Sequence, residues 1–179
     1  MHSSFAAMDL TKFLVDVPDW PKPGVVFKDI SPLLRDPQAL AMAVELMASP
    51  FRGKGVQAVL GAESRGFIFG TAIAQALSAG FVPIRKPNKL PRATTGITYD
   101  LEYGTDRLEV HTDAITPGTK VLVVDDVLAT GGTMKASLDL ADMLNAEVMG
   151  VTVLIELAFL NGRARLGRYD HVHSVIRIE

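Results

Sequence analysis

One segment of the chain combines acidic, small and hydroxyl residues in an order suited to holding a sugar phosphate. Four apolar residues, Val121–Val124, precede two adjacent carboxylates, Asp125 and Asp126. Adjacent carboxylates suit a pair of vicinal hydroxyls, because each carboxylate can accept a hydrogen bond. The Gly-rich turn Ala129–Thr133 then opens a predicted helix, where unpaired backbone N–H groups and the helix dipole favour phosphate. The segment therefore predicts a ribose-phosphate site.

A second candidate site is a run of cations, Arg85, Lys86, Lys89 and Arg92. Such a run usually forms a solvated surface, and a weak nucleic-acid patch is an alternative. A pyrophosphate clamp aided by Arg65 is a third interpretation, since Arg binds phosphate with its planar fork and Lys with a point charge. Taken alone, the residues favour the solvated surface.

Three other patterns give weaker indications of chemistry. The segment Ala62–Gly66 lacks the first glycine of a nucleophile elbow, and the chain is short for a serine hydrolase. His171 and His173 alternate on a predicted strand, but no third ligand at useful spacing supports a metal site. The segment Gly53–Ala58 fits a dinucleotide fingerprint but precedes its strand, so it indicates a turn.

Composition narrows the class of protein. Against 18 Lys and Arg stand 20 Asp and Glu, a net charge of −2, which argues against a dedicated nucleic-acid binder. There is no Cys, which excludes disulfides, thiolate zinc sites and a cysteine nucleophile and fits a cytoplasmic protein. The longest apolar stretch, Val148–Leu160, is too short to span a bilayer, and no signal peptide is recognisable. The 179 residues suit one domain.

Alternating apolar and helical segments must position these residues. This alternation predicts an α/β fold, and the uninterrupted apolar run Val121–Val124 predicts a strand buried on both faces, as in a parallel sheet. Asp9–Val17 is expected to form a short amphipathic helix, and Ile97–Tyr103 with Leu108–His111 a hairpin around Gly104–Asp106. The remaining predicted strands are Val56–Leu60, Phe81–Ile84 and Glu147–Ile155, and the helices are Gln38–Met47, Gly66–Leu77 and Thr133–Leu144. Asp36 is expected to cap the first of these helices, with Pro37 at its first position.

The acidic and glycine-rich segment closely resembles the phosphoribosyl pyrophosphate (PRPP) signature of the type I phosphoribosyltransferases. Further segments resemble the adenine phosphoribosyltransferase branch of that family, in the same order and over nearly the whole chain from Pro18. These segments are Pro23–Leu34, Glu63–Phe67, Ile84–Lys86 with Lys89–Pro91, and Tyr99–Gly104.

The resemblance implies a single domain over residues 1–179 with the type I phosphoribosyltransferase fold. In that fold helices flank a central, mainly parallel sheet. A small hood would come mainly from residues 18–34 and the C-terminal part, and an inserted β-hairpin lid from about residues 87–112. The resemblance also implies a cis peptide between Glu63 and Ser64 and a homodimer.

The implied reaction transfers the 5-phosphoribosyl group of PRPP to adenine, giving AMP and pyrophosphate in purine salvage. Mg²⁺ would be bound with PRPP rather than held by a protein metal site. Two alternatives stay open: a xanthine phosphoribosyltransferase, and a PRPP-sensing regulator without catalysis. The lid and hood segments favour adenine, and the regulator would be expected to lack Glu102 and to carry a basic DNA-binding module.

The resemblance assigns roles residue by residue. Glu102 corresponds to the general acid/base of the family near the purine. Ala129 fits this role for Glu102, since it stands where related hypoxanthine-guanine enzymes carry an Asp that serves as base. Asp125 and Asp126 would hold the ribose hydroxyls. The 5′-phosphate would be held by Ala129, Thr130, Gly131, Gly132 and Thr133, the pyrophosphate by Arg65, Arg85, Lys86, Lys89 and Tyr103, and adenine by Val26, Phe27, Lys28 and Val127.

Overall fold

A computed structural model describes residues 8–101 and 104–179 of the chain. The chain divides into two compact units, one ending at Val44 and the other spanning Glu45–Glu179. No helix in the described ranges is long and apolar enough to cross a membrane.

The first unit contains a short antiparallel hairpin followed by helices. Strand β1 (Val15–Pro18) pairs with β2 (Val26–Asp29), and helix α1 (Ser31–Arg35) follows. Helix α2 (Pro37–Ala48) begins in this unit and ends in the second. The predicted start of α2 is confirmed, since Asp36 Oδ1 accepts hydrogen bonds from the backbone N–H groups of Gln38 and Ala39, each at 2.9 Å.

The predicted helix over Asp9–Val17 is wrong. A single 3₁₀ turn covers Leu10–Phe13, capped by Asp9, and the chain then enters β1. The two β-branched residues Val15 and Val17 account for the change, because such side chains favour an extended strand and reduce helix stability.

The second unit is built on a five-stranded parallel sheet, as predicted. Its strands are β3 (Ala58–Ala62), β4 (Gly80–Ile84), β7 (Lys120–Leu128), β8 (Glu147–Leu157) and β9 (Val172–Ile178), in the order β4-β3-β7-β8-β9. The apolar run Val121–Val124 lies in β7 and is at most 1% exposed. Burial on both faces explains why this strand lacks polar alternation.

Helices α3 (Arg65–Ala76) and α4 (Gly132–Met143) each follow a sheet strand and pack onto the sheet. Close contact with β3 requires small residues: a Cβ on Gly61 would lie 2.9 Å from Gly66 O. A Cβ on Gly70 would lie 2.6 Å from the ring of Phe81. These glycines let α3 pack closely against β3 and β4. Arg65, the first residue of α3, thus lies just after the end of β3.

The remaining strands, β5 (Thr94–Leu101) and β6 (Gly104–His111), form the predicted inserted hairpin. The predicted turn is wrong, because Gly104, Thr105 and Asp106 pair with β5 instead of forming the turn. The base of the hairpin is anchored: Arg85 and Glu109 exchange backbone hydrogen bonds of 2.8 and 2.7 Å. Leu108 is also buried.

Candidate active site

Three neighbouring strands end at one edge of the sheet and carry the predicted site residues there. Strands β4, β3 and β7 are adjacent and parallel, so their carboxyl ends share an edge. Arg65 follows β3, Arg85 follows β4, and Asp125 and Asp126 lie near the end of β7. Ligands of open parallel α/β sheets bind at this edge. The sheet order thus brings together cations and carboxylates that are distant in sequence.

The acidic pair is partly enclosed by protein. Asp126 is 5% exposed and accepts a hydrogen bond from Arg65 Nε, whereas Asp125 is half-buried. Asp126 N donates to Asp125 Oδ1 at 2.9 Å. Burial, followed by the neighbouring Asp126 charge, raises the pKa of Asp125 well above its usual value. A ligand that donates hydrogen bonds to these two carboxylates would stabilise their charged forms.

Residues 129–133, called here the phosphate loop, connect β7 to α4. Gly131 has φ +84°, a left-handed conformation that glycine adopts without strain, and α4 begins at Gly132. The first amide groups of an α-helix have no acceptor within the helix, and the helix dipole adds positive potential there. The loop and the start of α4 therefore present the backbone donors that a phosphate requires.

Glu63 organises the cations after β4. Its Oε2 accepts hydrogen bonds from Arg85 Nε at 3.0 Å and from Lys86 N at 2.6 Å. Burial raises the pKa of Glu63, but the bonds from Lys86 and Arg85 outweigh it, so the pKa lies below its usual value. The peptide between Glu63 and Ser64 is cis, as predicted.

Two of the cations are exposed toward solvent. Lys86 Nζ lies 3.2 Å from Asp106 Oδ2, and the Lys86 side chain is 53% exposed. Lys89 is exposed, and its carbonyl lies 3.5 Å from Arg85 Nη1. Arg92 pairs instead with Asp113.

Two hairpin residues reach the site without having been predicted. Tyr99 Oη lies 3.3 Å from Thr133 Oγ1 of the phosphate loop and 3.5 Å from Asp106 Oδ2. Burial raises the pKa of Tyr99, so its hydroxyl keeps its proton at neutral pH. Residue type and spacing alone did not indicate a site at Tyr99. The one signal in the sequence was its place in the segment that resembles the family.

Of the other predicted residues, three belong to the first unit, one lies on β7 and two are not described. Glu102 and Tyr103 lie outside the described residues. Val26, Phe27 and Lys28 lie on β2 in the first unit, where Phe27 packs edge-on against Trp20 and Lys28 pairs with Asp16 at 2.6 Å. Val127 lies on β7 beside the acidic pair.

The described ranges 8–101 and 104–179 contain no cluster of three or more His, Asp or Glu that could hold a metal ion. The two histidines considered as ligands make other contacts. His171 Nε2 lies 2.9 Å from Lys54 Nζ, and His173 Nε2 lies 3.0 Å from Leu46 O.

Comparison with known proteins identifies the family. Residues 32–179 match the phosphoribosyl transferase domain family. An adenine phosphoribosyltransferase of Symbiobacterium thermophilum is 56% identical over 168 residues, which are 94% of this chain and 99% of that protein. The chain belongs to the adenine phosphoribosyltransferase family.

Solved structures of this family share the fold. The adenine phosphoribosyltransferase of Rhodothermus marinus is 48% identical with a TM-score of 0.90, over 94% of this chain and 96% of that one. The Giardia lamblia enzyme, solved with 9-deazaadenine, is 36% identical with a TM-score of 0.90, over 96% and 97% of the two chains. The resemblance drawn from the sequence motifs, and the fold it implied, are thereby confirmed.

Proposed function

We propose that this protein transfers the 5-phosphoribosyl group of PRPP to adenine, releasing AMP and pyrophosphate. One observation carries the proposal. In a member of the adenine phosphoribosyltransferase family, β7 delivers Asp125, Asp126 and the phosphate loop to the sheet edge where Arg65 and Arg85 also lie. Vicinal hydroxyls, a phosphate monoester and a pyrophosphate are the three groups that such an edge can recognise together.

The cations are assigned to the pyrophosphate leaving group. The bond from the anomeric carbon to pyrophosphate breaks, so negative charge grows on the leaving oxygen while the sugar gains oxocarbenium character. Arg65, Arg85, Lys86 and Lys89 are assigned to this charge, because donors held in place before the reaction give the largest electrostatic stabilisation. Glu63 supports the assignment, since it holds both Arg85 and the Lys86 backbone.

The acidic pair and the phosphate loop are assigned to the ribose phosphate. Asp125 and Asp126 accept hydrogen bonds from the two ribose hydroxyls, and residues 129–133 hold the 5′-phosphate. Arg65 Nε pairs with Asp126, and the Arg65 side chain is 44% exposed, so its guanidinium can also meet a pyrophosphate next to the ribose. Holding both ends of PRPP fixes the anomeric carbon in place for attack.

Adenine supplies the nucleophilic nitrogen, which forms the new bond to the anomeric carbon and loses its proton. By family resemblance, Glu102 accepts that proton, and Tyr103 lies toward the pyrophosphate. Val26, Phe27, Lys28 and Val127 are assigned to adenine on the same ground. Ala129 agrees with the assignment to Glu102, because a methyl group at that position cannot act as a base.

Mg²⁺ is proposed to enter with PRPP. Pyrophosphate oxygens are the hard ligands that Mg²⁺ prefers, and the ion usually binds through substrate phosphates and a few carboxylates. Asp125 and Asp126 offer carboxylate oxygens beside the proposed pyrophosphate position, which fits such an ion. When bound, Mg²⁺ would offset charge on the departing pyrophosphate.

A role in purine salvage and a homodimeric assembly belong to the same proposal, both from family resemblance. A cytoplasmic location stays a prediction from the absence of Cys.

Base specificity is tested by incubating the protein with Mg²⁺ and PRPP and one purine at a time. The purines are adenine, hypoxanthine, guanine and xanthine, and nucleotide products are separated by chromatography. We expect AMP from adenine and little product from the three 6-oxopurines. Faster turnover of xanthine or another 6-oxopurine would overturn the assignment of adenine while leaving the PRPP site intact.

A further inference from the structure

The phosphate loop rests on a short 3₁₀ turn, Gly162–Leu166, whose first residue lies 31 positions after Gly131. A Cβ on Gly131 would lie 2.5 Å from Gly162 O, and a Cβ on Gly162 would clash with Ala129 O and lie 3.1 Å from Gly131 N. Contacts under 3.0 Å are closer than a real Cβ tolerates. The two backbones therefore touch directly, and a displacement of the turn at Gly162 must displace the loop.

An ion pair fixes the residue that follows Gly162. Arg163 donates to both carboxylate oxygens of Glu156, from Nε to Oε1 at 2.7 Å and from Nη2 to Oε2 at 2.6 Å. Its Nη1 also donates to Val172 O at 2.9 Å, and Ser174 Oγ donates to Glu156 Oε2 at 2.7 Å. One guanidinium thus ties the turn to two neighbouring sheet strands, since Glu156 lies on β8 and Val172 begins β9.

Burial makes this attachment rigid. Glu156 is 4% exposed. The hydrogen bond from Arg163 holds the pKa of Glu156 below its usual value despite burial, so the carboxylate stays ionised at neutral pH. The far end of the turn is fixed by Leu166, which is fully buried. A bidentate pair between a buried carboxylate and Arg fixes orientation as well as distance.

We infer that Arg163 and Glu156 are positioning residues for phosphate binding, acting through Gly162 on the loop at residues 129–133. The inference rests on the proposed function, which assigns that loop to the 5′-phosphate. The backbone donors of the loop must point at the phosphate oxygens, and small displacements of such donors are costly in binding and rate. Neither residue is assigned a contact with the ligand.

The position of the turn predicts which ligand should bind more weakly when the Arg163–Glu156 pair is removed. The turn contacts Ala129 and Gly131, whereas the clamp residues Arg85 and Lys86 follow β4 at the far side of the sheet order. Loosening the turn should therefore weaken ligands held by the phosphate loop and leave ligands held by the cations nearly unchanged. A general loss of stability would affect both.

The test compares Arg163→Met, which removes the ion pair, with Arg163→Lys, which keeps the charge but loses the planar fork. Arg177→Met is the matched control: Arg177 Nη1 lies 3.9 Å from the same Glu156 carboxylate, but the residue belongs to β9 and not to the turn. Calorimetry measures the Kd of ribose 5-phosphate and, separately, of Mg²⁺-pyrophosphate. Circular dichroism checks folding at the titration temperature.

For Arg163→Met we expect a Kd for ribose 5-phosphate raised by about tenfold, the lower end of the effect of residues that orient ligand-binding groups. Arg163→Lys should give a smaller rise, about threefold, since Lys keeps the charge without the second hydrogen bond. The Kd of Mg²⁺-pyrophosphate should stay within about twofold for both, and Arg177→Met should leave both constants unchanged.

Three results would contradict the inference. The first is unchanged ribose 5-phosphate binding in a folded Arg163 variant, and the second is an equal loss for both ligands. The third is a loss in Arg177→Met as large as in Arg163→Met. If Arg163→Met does not fold, Arg163→Lys decides by the same criteria. A wild-type protein that binds pyrophosphate but no ribose 5-phosphate would instead refute the proposed function itself.

Discussion

Lys86 Nζ lies 3.2 Å from Asp106 Oδ2, so a cation assigned to pyrophosphate pairs with a carboxylate of the inserted hairpin. Lys86 follows β4 and Asp106 lies on β6. Asp106 thus occupies the position beside Lys86 that the proposed function assigns to a pyrophosphate oxygen. If Lys86 binds pyrophosphate as proposed, the ligand competes with Asp106 for the ammonium group.

Replacement of Asp106 by Asn is therefore expected to strengthen pyrophosphate binding. The pair is partly exposed, and such pairs contribute about 0–1 kcal/mol, so the Kd of Mg²⁺-pyrophosphate should fall by up to about fivefold. Calorimetry at constant ionic strength measures the change. Asp113→Asn is the control, because Asp113 pairs with Arg92, a cation not assigned to the site. A weaker complex in Asp106→Asn would show that Asp106 supports the clamp.

Asp125→Asn is expected to stabilise the folded protein while disabling the site. The pKa of Asp125 is raised, so its charged form is disfavoured in the folded state relative to the unfolded state. The charged Asp125 side chain therefore lowers the free energy of unfolding at neutral pH. This loss disappears as pH falls from the raised folded-state pKa toward the ordinary pKa of the unfolded state. At neutral pH the variant should have the higher Tm, by about 2–4 °C per kcal/mol gained.

Thermal unfolding between pH 4 and 8 measures this effect. The difference in Tm between Asp125→Asn and wild type should be largest at neutral pH and shrink as the medium becomes acidic. The same variant should bind ribose 5-phosphate at least about tenfold more weakly, since an amide offers one acceptor where the carboxylate offers two. A lower Tm at neutral pH would contradict the account of a carboxylate strained by burial.

Gly131→Ala should lower the free energy of unfolding by more than the left-handed conformation of an alanine alone would. Any L residue at φ +84° costs roughly 1–2 kcal/mol, and here the new Cβ would also meet Gly162 O at 2.5 Å. Gly118→Ala is a matched control with φ +82° and no described atom within 4 Å of the new Cβ. Denaturant unfolding of both variants isolates the clash. Equal losses of free energy would mean that the loop and the Gly162 turn do not press on each other.

Glu102→Ala tests the proton transfer. General acid/base groups contribute about 10²–10⁴-fold to rate, so kcat should fall by that range while PRPP still binds. Single-turnover formation of AMP, together with a PRPP titration, separates the two effects. An unchanged rate would remove Glu102 from the mechanism.

The sequence predicts the parts of this fold that depend on local pattern. The uninterrupted apolar run at Val121–Val124 indicated a buried parallel strand, and Asp36 with Pro37 marked the start of α2. The hairpin turn was misplaced because Gly104 and Asp106 are typical turn residues, whereas cross-strand pairing places both in β6. Pairing depends on contacts that no single segment contains.

The sequence likewise predicts only the part of the candidate site that lies in one contiguous segment. Asp125, Asp126 and the phosphate loop are contiguous, so their chemistry is visible in the sequence. The contact of Tyr99 with Thr133, and of Gly131 with Gly162, joins residues more than 30 positions apart. Only the sheet order and the docking of the hairpin bring these groups together, and neither has a local signature.

The central claim is that the phosphoribosyl group passes from PRPP to adenine, and product stoichiometry tests it most directly. The protein is incubated with Mg²⁺, PRPP and adenine, and AMP and pyrophosphate are both quantified over time, with a parallel reaction lacking adenine. We predict equal amounts of AMP and pyrophosphate with adenine, and almost no pyrophosphate without it. Pyrophosphate released without AMP, or PRPP bound with no product at all, would contradict the account.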